Sequence, residues 1–186
     1  MYYILADQDL DDTESIAQIS DGPDLDEADW YAGERFTMPI PRPLRFTLDP
    51  TAEGELPFFW DWTIPLMHEE LIAGLMQAGV DNLDVYDAVI LDEESGTEWT
   101  DFKAVNVVGK VAAANLGLSR YFSRQPTPLI AVQFDSLAID ENKTDGLLMF
   151  RLAECVSAIV VHEKVRDTLK ARDILVGFIE PKDFVS

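Results

Sequence analysis

Apolar runs of strand length are common along this 186-residue chain, but they do not alternate with helices in the steady order a parallel, doubly wound sheet requires. Tyr2–Ala6 is a run of aromatic and aliphatic residues halted by Asp7, and it reads as a strand. Leu44–Leu48 alternates Leu-Arg-Phe-Thr-Leu and reads as another. Val85, Val89 and Leu91, offset by Asp84 and Asp87, give Asn82–Leu91 strand character. Asp92-Glu93-Glu94-Ser95-Gly96 turns it, and Trp99–Val108 returns as its hairpin partner. Further strands are expected at Leu129–Phe134, which Ala138–Asp140 either extends or neighbours, and at Leu147–Phe150, Ala158–Val161 and Ile174–Ile179. Helical spacing is clearest over Leu66–Ala78, where Leu66, Met67, Leu71, Ile72, Leu75 and Met76 form one stripe. Pro65 suits a first turn, Glu69 and Glu70 complement the positive end of the helix, and Gly79 is a natural stop. His162–Ala171 carries a second stripe with Val165 and Leu169 inward, and alanine-rich Lys110–Ser119 predicts a short third helix. The order specifies an α+β single domain: a mixed or antiparallel sheet with hairpins and a few packed helices.

Two parts differ in character. Residues 1–62 are acidic and proline-rich, with Asp21-Gly22-Pro23-Asp24 a turn, a helical turn expected at Ser15–Ile19, and Pro39, Pro41, Pro43, Pro50 and Pro57 punctuating the rest. Residues 63–186 hold most of the regular patterning. Phe58, Phe59, Trp60 and Trp62 form an aromatic knot, read as a loop packed on the core in preference to a ligand-stacking site. Apolar residues make up 47% of the chain, enough for a buried core despite the charge. The single cysteine, Cys155, excludes an internal disulfide and is expected as a buried small hydrophobe. The opening residues lack the basic start of a signal peptide, and no stretch reaches the roughly 18 apolar residues of a membrane span. A cytoplasmic placement is expected.

The charge is one-sided. Residues 1–34 hold eleven acids and no lysine or arginine, and residues 35–102 hold fourteen acids against Arg35, Arg42 and Arg45. Residues 103–186 are nearly balanced, so almost all of the net charge of −21 precedes them. Such a field repels phosphate and anionic membrane and attracts basic partners. Direct nucleic-acid binding, which depends on lysine and arginine neutralising phosphates, is not expected.

Catalytic and metal patterns fail one by one. Asp7, Asp9 and Asp11 occupy the first three ligand positions of a calcium loop, but Asp12 stands where glycine is required and Gln18 where the closing glutamate belongs. The segment Asp140–Arg151 fails at the same two positions. His68 and His162 each lie at the start of a helical pattern and read as surface or capping residues rather than general bases. Phosphate-cradling glycine loops and zinc spacings are missing, and no cofactor is expected. The residues by themselves point to a binding protein.

Four blocks carry a family resemblance: Pro65-Leu66-Met67-His68-Glu69-Glu70-Leu71, Gly79-Val80-Asp81-Asn82-Leu83, Ala104-Val105-Asn106-Val107-Val108-Gly109 and Phe150-Arg151-Leu152-Ala153-Glu154. In order and spacing they resemble the eleventh immunity class of bacterial polymorphic toxin systems, over roughly residues 60–180. The resemblance implies a cytoplasmic antitoxin that binds and neutralises a cognate secreted toxin without catalysis. It fixes no functional residues, and residues 7–62 match none of its blocks.

A toxin that attacks nucleic acid would present a basic groove, and a carboxylate-rich surface could fill it. Asp7, Asp9, Asp11, Asp12, Asp24, Asp26, Glu27 and Asp29 are the expected steering surface. Trp30, Tyr31, Trp60 and Trp62, interleaved with acids, are the expected anchors, because interface hot spots are usually aromatic or arginine. The rival reading uses the same carboxylates in a metal-dependent enzyme or cation-binding module. An adaptor that loads a secreted cargo is a third.

Overall fold

The computed structural model describes residues 1–8, 16–25, 28–51, 54–122 and 132–186. Within these, the chain forms one α+β domain of mixed sheets and two helices. In the first sheet, β1 (Tyr2–Ala6) lies between β14 (Gly177–Ile179) and β13 (Cys155–His162), antiparallel to both. Next to β13, β12 (Met149–Leu152) is antiparallel, and β9 (Lys110–Val111) closes the edge in parallel. The second sheet runs β2 (Ile19–Asp21), β3 (Leu44–Leu48), β6 (Leu83–Asp92), β8 (Phe102–Val107), β5 (Leu66–His68) and β4 (Phe59–Trp60), with β7 (Thr97–Trp99) also on β6. Only β3 and β6 pair in parallel there. A small separate pair joins β10 (Arg120–Phe122) to β11 (Gln133–Ser136). The first 62 residues thus supply β1 to one sheet and β2, β3 and β4 to the other.

Alternation along the strands divides the interior into three cores. Tyr3 and Leu5 of β1 join Met67, Val105, Val107 and the inward faces of both helices in the first. Tyr2 and Ile4, one residue out of phase, point to the second, with Ala113, Phe134, Phe150 and Leu152. The third lies on the other face of the seven-stranded sheet, where Leu66, Ala104 and Ile90 pack with Trp30, Phe46 and Trp60. Both sheets are therefore covered on both faces, which is why their strands read as apolar runs more than as clean alternation. Among the described residues, no helix is long and apolar enough to cross a membrane.

Each helix grows directly out of a strand through a histidine. His68 ends β5 and caps α1 (Glu69–Ala78), its ring accepting the Glu70 N–H at 3.2 Å. His162 ends β13 and caps α2 (Glu163–Lys170) in the same way, accepting from the Lys164 N–H at 3.2 Å. These caps satisfy a backbone donor that the first turn leaves open. Gly79 closes α1 at φ +104°, with its N–H returned to the carbonyls of Leu75 and Met76. The helices pack closely: a methyl group on Gly74 would stand 2.5 Å from Leu169 Cδ2.

Three expectations are corrected. The stripe over Leu66–Ala78 is not all helix, because Leu66–His68 is a strand held between β4 and β8 before α1 begins at Glu69. Lys110–Ser119 forms no helix: Lys110–Val111 pairs with β12, and Ala114 bridges to Ile139. Ala113 and Ala114 are buried in the second core, and that packing overrides helical propensity. Ile16 bridges to Glu55 and Ile19 begins β2, where a helical turn was expected; Ser15 lies outside the described residues. By contrast, β1 and β3 keep the bounds read from the sequence. Cys155 is buried, and Val165 and Leu169 face inward.

Candidate functional site: an acidic rim over a buried arginine

Arg151 sits in the middle of β12 with none of its surface exposed. Its main chain is fixed first: its N–H donates to the Gly109 carbonyl at 2.9 Å, and β12 pairs on both sides. Its Nη1 donates to the Val156 carbonyl at 2.8 Å, while Nε and Nη2 find no partner among the described residues. A buried guanidinium with two open donors is costly, and it needs compensating negative charge nearby.

That charge arrives from two separate segments, and a third sets a further carboxylate near Asp61. The Tyr31 ring lies 5.0 Å from the guanidinium carbon, within cation–π range. The loop carrying Tyr31 is pinned where Gly109 N–H donates to the Gly33 carbonyl at 2.7 Å and Asn106 Nδ2 donates to the Glu34 carbonyl at 2.8 Å. Asp29 shapes the start of this loop, its Oδ1 accepting the Tyr31 N–H at 2.9 Å. Asp61 follows from strand alternation: with Trp60 turned into the third core, its neighbour turns the other way. Asp7 comes from the end of β1, where the strand stops and its Oδ1 accepts the Gln8 N–H.

These groups act on one another. Asp61 still reaches solvent, but the protein crowded around it thins its hydration and pushes its carboxyl up to about 6; Arg151 opposes the rise and Asp7 adds to it. Burial raises the Tyr31 hydroxyl, Asp61 raises it further, Arg151 lowers it, and Asp29 adds a smaller rise. Burial lowers Arg151 from its ordinary value, and Asp61, Tyr31 and Asp29 push back. One guanidinium thus serves two acids, Asp29 and Asp61, at a rim that is part buried and part open. The arrangement holds negative charge at the surface and can present it to a cationic partner.

The expected site residues divide sharply. Asp29 and Tyr31 converge on Arg151, Asp7 acts on Asp61, and Asp24 is exposed. Asp9, Asp11, Asp12, Asp26 and Glu27 lie outside the described residues. Trp30 and Trp60 are each only 3% exposed, which corrects the expectation of surface anchors. Trp30 packs edge-on to Phe36 and Tyr86, and Trp60 donates its indole N–H to the Ala17 carbonyl at 2.7 Å. Trp62 is half-buried against Phe46. The physical reason is that an acidic segment with few aliphatic residues is held down by whatever large apolar area it has, and indoles supply most.

Sequence reasoning missed Asp61 and Arg151. Both stand out once the pattern is known: an aspartate between two tryptophans, and an arginine between Phe150 and Leu152 in an apolar strand. No protein-family model matches the chain, and no curated protein matches it.

Proposed function

We propose that this chain is an immunity protein, which binds a cognate secreted toxin one-to-one in the cytoplasm and blocks it without catalysis. The observation that carries the reading is the convergence of Asp29 and Asp61 on one buried arginine, with Asp7 acting on Asp61, in a chain of net charge −21. Acids spread along the sequence are gathered in the fold into a rim, and the guanidinium below lets them stand close together. A basic active-site groove built for phosphates meets its electrostatic complement there. Steering by such a field raises association rates toward ~10⁸–10⁹ M⁻¹s⁻¹ at low salt, which favours capture before the toxin turns over.

The test is inhibition of the purified toxin domain, titrated with the protein at two salt concentrations. The reading predicts an end point at one equivalent and association that slows as salt rises. It also predicts a flatter salt dependence when Asp7, Asp29 and Asp61 are all changed to asparagine. Association indifferent to salt and to those three changes would remove the acidic rim from the interface.

A further inference from the structure

Where β5 passes into α1, facing the β7–β8 turn, a cavity of about 260 Å³ opens between Phe58, Phe102 and Trp99. Its polar lining is His68, Glu70 and Asp101. The imidazole stands edge-on to Phe58 and Phe102, with ring centres 5.3 and 5.1 Å away. Its Nδ1 accepts the Glu70 N–H, which places the ring proton on Nε2, 3.3 Å from Asp101 Oδ2. Neither nitrogen is left to act as a base.

The first donors of the helix are also occupied. Glu69 N–H donates to the Asp101 carbonyl at 2.8 Å, and Glu70 N–H to the His68 ring. An anion entering here would meet two carboxylates and find these donors taken. A cation meets the reverse. Lys103 pairs with Glu69 and Asp87, leaving Glu70 with no lysine or arginine partner among the described residues and Asp101 with only the histidine. The aromatic walls add ring faces and edges that accommodate a flat cation. The volume decides the size of the occupant: it lies below the roughly 300–1,000 Å³ of small-molecule sites and suits one large side chain.

We propose that this cavity seats an arginine side chain projecting from a basic protein partner. A guanidinium is flat enough to lie against Trp99 and Phe102 and carries donors for Glu70 and Asp101, whereas an ammonium offers only a point charge. The seat supplies an aromatic-walled anchor, which Trp30 and Trp60 do not, being core. That the partner is a toxin rests on the proposed function; that the cavity takes arginine does not.

The experiment therefore uses the free protein and a small probe. N-acetyl-arginine methylamide is titrated into the isotope-labelled full chain and followed by two-dimensional NMR. Saturable shifts are expected at the Trp99 indole N–H, His68 and Phe102, with the neutral isostere N-acetyl-citrulline methylamide binding about tenfold more weakly, the order of a partly desolvated cation–π and ion contact. Glu70→Gln, at an exposed position, weakens the arginine probe several-fold and leaves the remaining spectrum in place. No saturable shift, equal affinity for the citrulline probe, or shifts confined to other residues would each overturn the proposal. Probe binding in a protein that inhibits no toxin keeps the cavity and removes the immunity reading. Toxin inhibition without probe binding does the opposite.

Discussion

Arg151 and Tyr31 are 120 positions apart in the chain, yet the ring of one lies 5.0 Å from the guanidinium carbon of the other. The contact closes the loop of residues 29–35 over β12 and brings Asp29 and Asp61 into the field of a charge with no exposed surface. A buried cation is what allows the rim above it to be so acidic, and the electrostatic predictions below depend on that link.

Asp61→Asn tests the rim by pH. The carboxyl sits at about 6 in the fold against an ordinary 3.8, so folding favours its protonated form. The wild type holds that advantage below pH 4 and loses it as pH rises through 6. The variant has no proton to lose there. Its Tm is expected to exceed that of the wild type at pH 8, and the gap should close as pH falls from 6 to 4. A gap that widens on acidification would contradict the assignment.

Arg151→Met keeps most of the side-chain length and removes the buried charge. With two open donors gone, the cost at pH 5 is expected to stay within about 1.5 kcal/mol. At pH 8 the ionised Asp61 loses its counter-charge, and the variant should fall further behind. Urea denaturation at both pH values reads the difference; an equal deficit at each would show that the guanidinium does not support the acids.

The histidine caps are separable from any role of the cavity. His68→Ala and His162→Ala each remove a side-chain acceptor from a helix N-terminus, at a cost of about 1 kcal/mol. Asparagine at either position restores most of it, because its carbonyl can accept the same N–H. Thermal denaturation distinguishes the pairs, and identical losses for alanine and asparagine would deny the capping role.

Gly74→Ala sets propensity against packing. Alanine favours a helix interior by about 1 kcal/mol over glycine. Here its methyl would stand 2.5 Å from Leu169 Cδ2 and 3.0 Å from Ile174 Cδ1. Overpacking of this kind costs about 1–3 kcal/mol, so the substitution should destabilise or at best break even. A clear rise in Tm would mean that the two helices separate more easily than their packing indicates.

What was legible in the sequence was local. The Tyr2–Ala6 and Leu44–Leu48 strands are short apolar patterns bounded by polar or turn residues, and Gly79 stops a helix at a left-handed φ that favours glycine. What escaped was set by distant partners. Leu66–His68 shares its apolar spacing with the helix that follows, and only pairing with Phe59–Trp60 and Phe102–Ala104 makes it a strand. The alanines near residue 113 were drawn from a helix by the second core. Trp30 and Trp60 looked like anchors beside acids because sequence shows neighbours and not facing: in Asp29-Trp30 and Trp60-Asp61 the aromatic turns inward while the acid remains exposed. Arg151 gains its role from two distant segments converging on it, and no spacing within one segment encodes that.

The central claim is neutralisation of a toxin, and growth measures it most directly. Cells induced to produce the product of the gene immediately upstream, the toxin this account expects there, are compared with and without the chain. The account predicts restored growth and a one-to-one complex recovered from those cells, weakened when Asp7, Asp29 and Asp61 are neutralised together. Cells that stop growing at the same rate in the presence of folded protein, with no complex recovered, would contradict it.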